Sequence, residues 1–204
     1  MSKSSKQWLR RHVTDGYVRQ ARAHGYRSRA AFKLLEIDAR EKLLQPGARV
    51  LDLGAAPGGW SQVAAAKVGP TGRVVAIDLL ELAPISGVKT LRGDVRDAGA
   101  REALRAALGG PVDVVLSDLS PNISGIATVD QARAAELVEL AVVLAGEFLK
   151  PSGVLLVKAF QGEAFEGIVA NLKGAFRSVS VRKPGASRGE SRETYLVARG
   201  PKPR

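Results

Sequence analysis

Cysteine is absent from the 204 residues, which excludes a disulfide framework, a thiolate metal site and a cysteine nucleophile. Long apolar runs are absent as well. No segment approaches the roughly 20 uninterrupted apolar residues of a membrane span, so a soluble, cytoplasmic chain without membrane contact is expected. There is no internal repeat, no low-complexity tract and no composition break that would mark a second domain. With 45% hydrophobic residues, the chain can bury a core without metals or disulfides. Acids are scarce at both ends. Residues 1–35 carry nine Lys/Arg against one acid, residues 173–204 nine against two, and residues 36–172 13 against 17; the local charges are +8, +7 and −4 within a net +11. Charges serving only solubility would be spread along the chain. This distribution instead fits ends that meet a polyanion, RNA first among them, and a centre that holds a cationic or neutral small molecule.

Near-continuous apolar strands alternate with helical segments. Strands are predicted over 49–53, 73–78, 88–91, 112–118, 154–158, 176–181 and 194–198, and helices over 30–37 behind a Ser28 cap, 60–67, 98–108, 130–149 and 164–172. Pro46-Gly47, Gly69-Pro70-Thr71-Gly72 and Pro151-Ser152-Gly153 separate them. The alternation predicts an α/β domain with a doubly wound, seven-stranded, mostly parallel Rossmann-like sheet covered on both faces. No helix separates the last two strands, so a hairpin is expected to leave one antiparallel strand at the sheet's end. Met1 to Arg11 is basic, Ser-bearing and free of acids, as transit peptides are. Because the basic character continues through Arg19, Arg22, Arg27 and Arg29, residues 1–27 are read instead as an RNA-contacting arm, ahead of one domain at 28–204.

The most informative run is Asp52-Leu53-Gly54-Ala55-Ala56-Pro57-Gly58-Gly59-Trp60-Ser61, which closes the first strand and opens a helix. A small-residue loop at that place lets a ligand lie against bare backbone. The spacing is not the G-x-G-x-x-G of dinucleotide loops, which aim N–H groups at a pyrophosphate. Pro57 deletes a donor where such an anion would want one, which favours a ligand without phosphates. S-adenosylmethionine fits, with its amino-acid end along Gly54 to Gly59. Ligands of doubly wound sheets bind beyond the carboxyl ends of the strands. Asp78, Asp94 and Asp118 fall there, after three different strands. Singly, each could be a helix cap or a turn former; together they point to an adenosine site, with Asp78 where an acid takes ribose hydroxyls. Trp60 suits either that site or the core.

This loop, with Ser117-Asp118-Leu119-Ser120-Pro121-Asn122 and Lys158-Ala159-Phe160-Gln161-Gly162, resembles the FtsJ/RlmE family of RNA ribose 2′-O-methyltransferases, over nearly the whole chain from about Tyr17 to Ala198. The resemblance implies the class I methyltransferase fold, with Gly58, Trp60, Asp78, Asp94 and Asp118 lining the S-adenosylmethionine pocket beside Gly54, Pro57 and Gly59. It also implies that Lys33, Asp118, Lys158 and Glu193 match the family's Lys-Asp-Lys-Glu tetrad, with no metal. The implied reaction is methylation of a uridine ribose in 23S rRNA, on assembled or late 50S particles; a monomer is expected. At Leu119-Ser120 bacterial members usually read Met-Ala, a departure expected to leave the mechanism unchanged.

Residue chemistry is compatible with the tetrad. Lys158 closes an otherwise apolar strand, where a lysine is costly unless it reaches water or is used. Asp118 belongs to the same sheet edge, an antiparallel last strand would start there at Glu193, and Lys33 could join from the N-terminal helix. Methyl transfer from a sulfonium requires alignment of a nucleophilic oxygen and removal of its proton. Neutral Lys158 would be the base, with Asp118 and Glu193 orienting the lysines and the hydroxyl. RNA selection is expected from the ends: Arg27 and Arg29 for phosphates with a neighbouring aromatic for stacking, and the basic tail from Arg182 to Glu193. Three rivals stay open: a nicotinamide-dependent dehydrogenase, a non-catalytic rRNA-binding assembly factor, and a ribose methyltransferase acting on tRNA or mRNA caps.

Overall fold

The structure, a computed structural model, describes residues 15–122, 124–187 and 191–203. Helices α1 (Gly16–Ala23) and α2 (Ala30–Glu41) precede an alternating series: β1 (Arg49–Leu53), α3 (Gly59–Val68), β2 (Arg73–Asp78), β3 (Val88–Arg92), α4 (Ala98–Leu108), β4 (Val112–Ser117), α5 (Ala127–Phe148), β5 (Leu149–Phe160), α6 (Phe165–Ala175), β6 (Phe176–Arg182) and β7 (Glu193–Pro201). The seven strands form one sheet in the order β3-β2-β1-β4-β5-β7-β6. The first five pair in parallel, and β7 runs antiparallel to both β5 and β6.

Strand side chains alternate between faces, so each strand supplies two cores. Leu51, Leu53, Val75, Ile77, Val115, Leu155 and Val157 pack on one face with Leu104 and Leu108 of α4, Val138 and Leu144 of α5 and Leu172 of α6. Val50, Val74, Val114, Leu116, Leu156, Tyr195 and Val197 pack on the other with Leu34 and Ile37 of α2 and Trp60 and Val63 of α3. By the same alternation Asp52 and Lys158 belong to the α2/α3 face. Their place at the carboxyl end of the sheet is thus fixed by register, not by loop conformation.

Three details of the elements add to the sequence expectation where they bear on the site. The final hairpin lies at the sheet's end with β7 as its antiparallel strand, as expected, and within it β7 sits between β5 and the edge strand β6. The reason is burial: Thr194 to Ala198 are buried, whereas most of β6 is partly or fully exposed and suits an edge. β5 begins at Leu149, upstream of the expected start, because Pro151-Ser152-Gly153 is absorbed where the β4–β5 register shifts between Val112 and Val114. α2 begins at Ala30 without a side-chain cap. Ser28 is used differently: its Oγ lies 2.4 Å from where a Cβ on Gly59 would be, locking the start of α2 to the start of α3.

Of the expected basic arm, the first 14 residues lie outside the described residues, and the remainder contains α1, which buries Val18 and Ala21 and exposes Arg19 and Arg22. No helix among the described residues is long and apolar enough to cross a membrane.

Candidate active site

Four charged side chains from four parts of the chain meet at the carboxyl end of the sheet. Lys33, one turn into α2, places Nζ 2.7 Å from Glu193 Oε1 at the start of β7. Lys158, third from the end of β5, places Nζ 3.2 Å from Asp118 Oδ1 and donates to the Asp118 carbonyl at 2.8 Å. A third acceptor for Lys158 is Ser120 Oγ. An ammonium has three protons, so Lys158 finds one oxygen for each.

The two ion pairs are joined by Tyr195. Its hydroxyl donates to Asp118 Oδ1 at 3.0 Å and to Glu193 Oε1 at 3.1 Å, one proton shared between two acceptors. The ring is fully buried against Trp60, with centroids 5.6 Å apart, and Lys33 Nζ stands 5.9 Å from its centre. Burial, then the charges of Asp118 and Glu193, push the phenol well above its ordinary value, so it remains a donor. Burial also works to raise Glu193. The Lys33 ammonium, Lys158 and a hydrogen bond from Ser187 Oγ at 3.0 Å outweigh it and hold the carboxyl below its ordinary value. Arg29, Lys33, Ser191 and Glu193 line an open cleft of about 250 Å³ above this network.

Beside the rim lies the glycine-rich loop, whose N–H groups point inward. Gly54 N and Ala55 N donate to the Ile77 carbonyl at 3.0 and 3.3 Å, and Ala56 N donates to Asp78 Oδ2 at 2.9 Å. Pro57 has no donor, so residues 54–57 offer no free N–H to a phosphate. Gly54 and Gly58 adopt φ of +69° and +111°, and a Cβ on either would collide with Leu119 or Ile85 at 2.5 Å. Asp78 also accepts from Leu80 N at 2.8 Å. Asp94 is gripped by the Arg96 guanidinium and amide, which hold its carboxyl below the ordinary value. Trp60 is core: its ring is buried and its Nε1 donates to the Ala30 carbonyl at 2.8 Å.

Beneath the loop, Asp52 is fully buried. Ser61 Oγ donates to its Oδ2 at 2.6 Å, while Oδ1 has no partner among the described residues. Burial, opposed by the Ser61 hydrogen bond and reinforced by Asp118 and Asp78, pushes this carboxyl up to about 7. Three carboxyls that act on one another here, Asp52, Asp78 and Asp118, beside a loop whose first three amides are already satisfied, suit a cation. A sulfonium bearing an amino-acid group has that character, so the residues fit S-adenosylmethionine.

Comparison with known proteins separates this site from a nicotinamide site. The sequence pattern of FtsJ-like methyltransferases matches residues 26–201. The chain belongs to the FtsJ-like methyltransferase family. It is 52% identical over 200 residues to the ribosomal RNA large subunit methyltransferase E of Chromohalobacter salexigens, covering 98% of this chain and 95% of that protein. The corresponding protein of Halorhodospira halophila is 56% identical over 192 residues, covering 94% and 91%. Among solved structures, a ribosomal RNA methyltransferase from Plasmodium falciparum superposes with a TM-score of 0.78 at 28% identity, covering 88% of this chain and all of that one. Aeropyrum pernix fibrillarin, solved with S-adenosyl-L-methionine, shares the fold at a TM-score of 0.59 and 20% identity, covering 85% and 75%.

In this FtsJ-like methyltransferase the structure brings Lys33, Asp118, Lys158 and Glu193 together, and lines Gly54, Pro57, Gly58, Gly59 and Asp78 along the neighbouring loop. Three participants escape a sequence reading. Tyr195 reads as one more apolar position of a buried strand, and only its register opposite Lys158 reveals it. Ser187 reads as one more small residue of the basic tail, and only the turn back to Glu193 reveals it. Ser120 stands at the departure expected to be neutral, yet its hydroxyl contacts Lys158. The expected phosphate-binding arginines are a correction. Arg27 donates to the carbonyls of Ala83 at 2.7 Å, Pro84 at 2.6 Å and Pro57 at 3.3 Å, clamping the loop from outside. Arg29 binds Asp15 and the Ala186 carbonyl. Both guanidinium groups already face protein oxygens. In the basic tail, Arg182 pairs with Glu41, Arg192 is exposed, and residues 188–190 lie outside the described residues.

Proposed function

We propose that this chain transfers a methyl group from S-adenosylmethionine to the ribose 2′-hydroxyl of a uridine in large-subunit rRNA, acting in the cytoplasm as a monomer on assembled or late 50S particles. The observation that carries the reading is the pair of ion pairs, Lys33–Glu193 and Lys158–Asp118, joined through one buried phenol beside the glycine-rich loop. When bound, S-adenosylmethionine supplies an electrophilic methyl group on a positively charged sulfur. Gly54, Pro57, Gly58, Gly59, Asp78, Asp94 and Asp118 hold it.

Lys158, in its neutral form, is the base that would take up the proton of the ribose 2′-hydroxyl. The ammonium that results is met by Asp118 Oδ1, the Asp118 carbonyl and Ser120 Oγ, so the stabilisation grows as the charge forms. Lys33 and Glu193 orient the ribose at the mouth of the cleft. Orientation of this kind is worth on the order of 7 kcal/mol or more. Arg19 and Arg22 of the arm at residues 1–27, with Arg192 of the tail, form the phosphate-contacting surface, ahead of and around the methyltransferase domain at 28–204.

The test offers 50S particles, free rRNA and tRNA in parallel with labelled methyl donor, followed by mapping of the modified ribose. Methylation of a large-subunit uridine 2′-oxygen is expected. Transfer to tRNA alone, or no transfer with any substrate, would overturn the reading.

A further inference from the structure

Among the described residues, Asp52 is the one fully buried carboxyl at this end of the sheet that faces no cation. Its neighbours can be enumerated by element. α3 presents Ser61, a neutral donor to Oδ2; β2 ends in Asp78; β4 leads into Asp118, already paired with Lys158. Oδ1 receives no hydrogen bond among the described residues. A carboxylate without a cation, with one oxygen bare and two other acids nearby, is costly to keep ionised in a buried place. The same group as a carboxylic acid has a proton with which to occupy that bare oxygen. Seating a cation in the adjoining cleft reverses the balance, because positive charge near Asp78 and Asp118 also reaches Asp52 through protein of low polarity.

We propose that Asp52 is a proton-linked positioning residue of the cofactor cleft: it holds a proton in the free protein and releases it when the sulfonium cofactor is bound, so that donor affinity is coupled to pH. The atoms balance simply, with one proton leaving the Asp52 carboxyl for solvent as one cationic ligand enters. Burial and the two nearby acids act in the same sense, pushing this carboxyl up to about 7. The consequence is a donor affinity that rises about tenfold between pH 6 and pH 8 as the competing proton is removed.

The inference rests on reading this cleft as the S-adenosylmethionine site, and one experiment separates the two. Isothermal titration of the full chain with S-adenosylmethionine, repeated in buffers of different ionisation enthalpy, reports affinity and protons released at once. Absence of binding would refute the cofactor reading. Binding with no net proton release between pH 6 and 7.5 beyond that of the cofactor's own amino group would refute the proposal alone. In Asp52→Asn, which keeps the size and an acceptor for Ser61, the release due to Asp52 is expected to vanish and the pH dependence of affinity to flatten correspondingly. Retention of both would overturn the proposal. A readout that needs no variant is the carbon-13 titration of aspartate carboxyls in the wild-type protein. One carboxyl is expected to titrate near neutrality without cofactor and to remain ionised with it; no such carboxyl would be equally fatal.

Discussion

Lys158 sets the terms at the residue scale. A lysine whose side chain is 5% exposed and whose three donors are all matched is positioned to stabilise one proton at one place. Lys158→Ala is expected to reduce methyl transfer at least about a hundredfold, the scale of a lost general base, while donor affinity stays within a few-fold. Unchanged turnover in a single-turnover assay would remove Lys158 from its role. Asp78 acts on the other partner. It fixes one amide of the loop, Ala56 N, and one just after β2, Leu80 N, so Asp78→Ala should weaken S-adenosylmethionine binding by roughly ten- to a hundredfold, about 1.5–3 kcal/mol, as read by calorimetry. Tyr195→Phe removes a single oxygen yet deprives both Asp118 and Glu193 of a donor. A roughly tenfold loss in kcat with an unaltered KM for the donor is expected, whereas equal kcat would make the ring mere filling.

At the scale of elements, the strands were legible because buried parallel strands read as apolar runs, and the loop because proline and three glycines in six residues are hard to explain otherwise. What escaped were the joints. Nothing local in Arg27 distinguishes a phosphate ligand from a clamp on three carbonyls, since only the fold brings Pro57, Ala83 and Pro84 within its reach. The same holds for Ser28, which has the composition of a cap and the position of a spacer between α2 and α3. The tetrad was reached from family resemblance; the spacing of Lys33 and Glu193, 160 residues apart in the chain, carries no such information. Arg27→Ala should therefore loosen the loop, lowering stability by about 1–3 kcal/mol in urea titration and weakening donor binding, but leave the salt dependence of rRNA binding unaltered. A reduced salt slope would return Arg27 to the phosphate surface.

For the whole molecule, charge is divided between a basic exterior and an acidic cleft, and each half has its own dependence on solution conditions. Affinity for rRNA should fall linearly with the logarithm of salt concentration. Folding stability responds to pH through three buried groups of different sign. Glu193 has a lowered value in the fold, so its contribution is present above the ordinary carboxylate range and lost as pH falls through the lowered value. Tyr195 has a raised value, and its contribution is lost as pH rises beyond its ordinary 10.0. Asp52 is also raised, so the protein loses stability as pH climbs from the ordinary 3.8 to about 7. Asp52→Asn is accordingly expected to be more stable than the parent at pH 8, by on the order of 4 kcal/mol, and equal to it near pH 4. Parallel urea curves at the two pH values measure this directly.

β7 lies between two strands made earlier, and it brings both Glu193 and Tyr195 to the rim. A polypeptide emerging in order from its amino end therefore has every other part of the cleft in hand while β5 still presents an open, apolar edge able to recruit a foreign strand. Threading that final strand home seals the edge and arms the enzyme in a single event, so no half-finished chain can be both exposed and active.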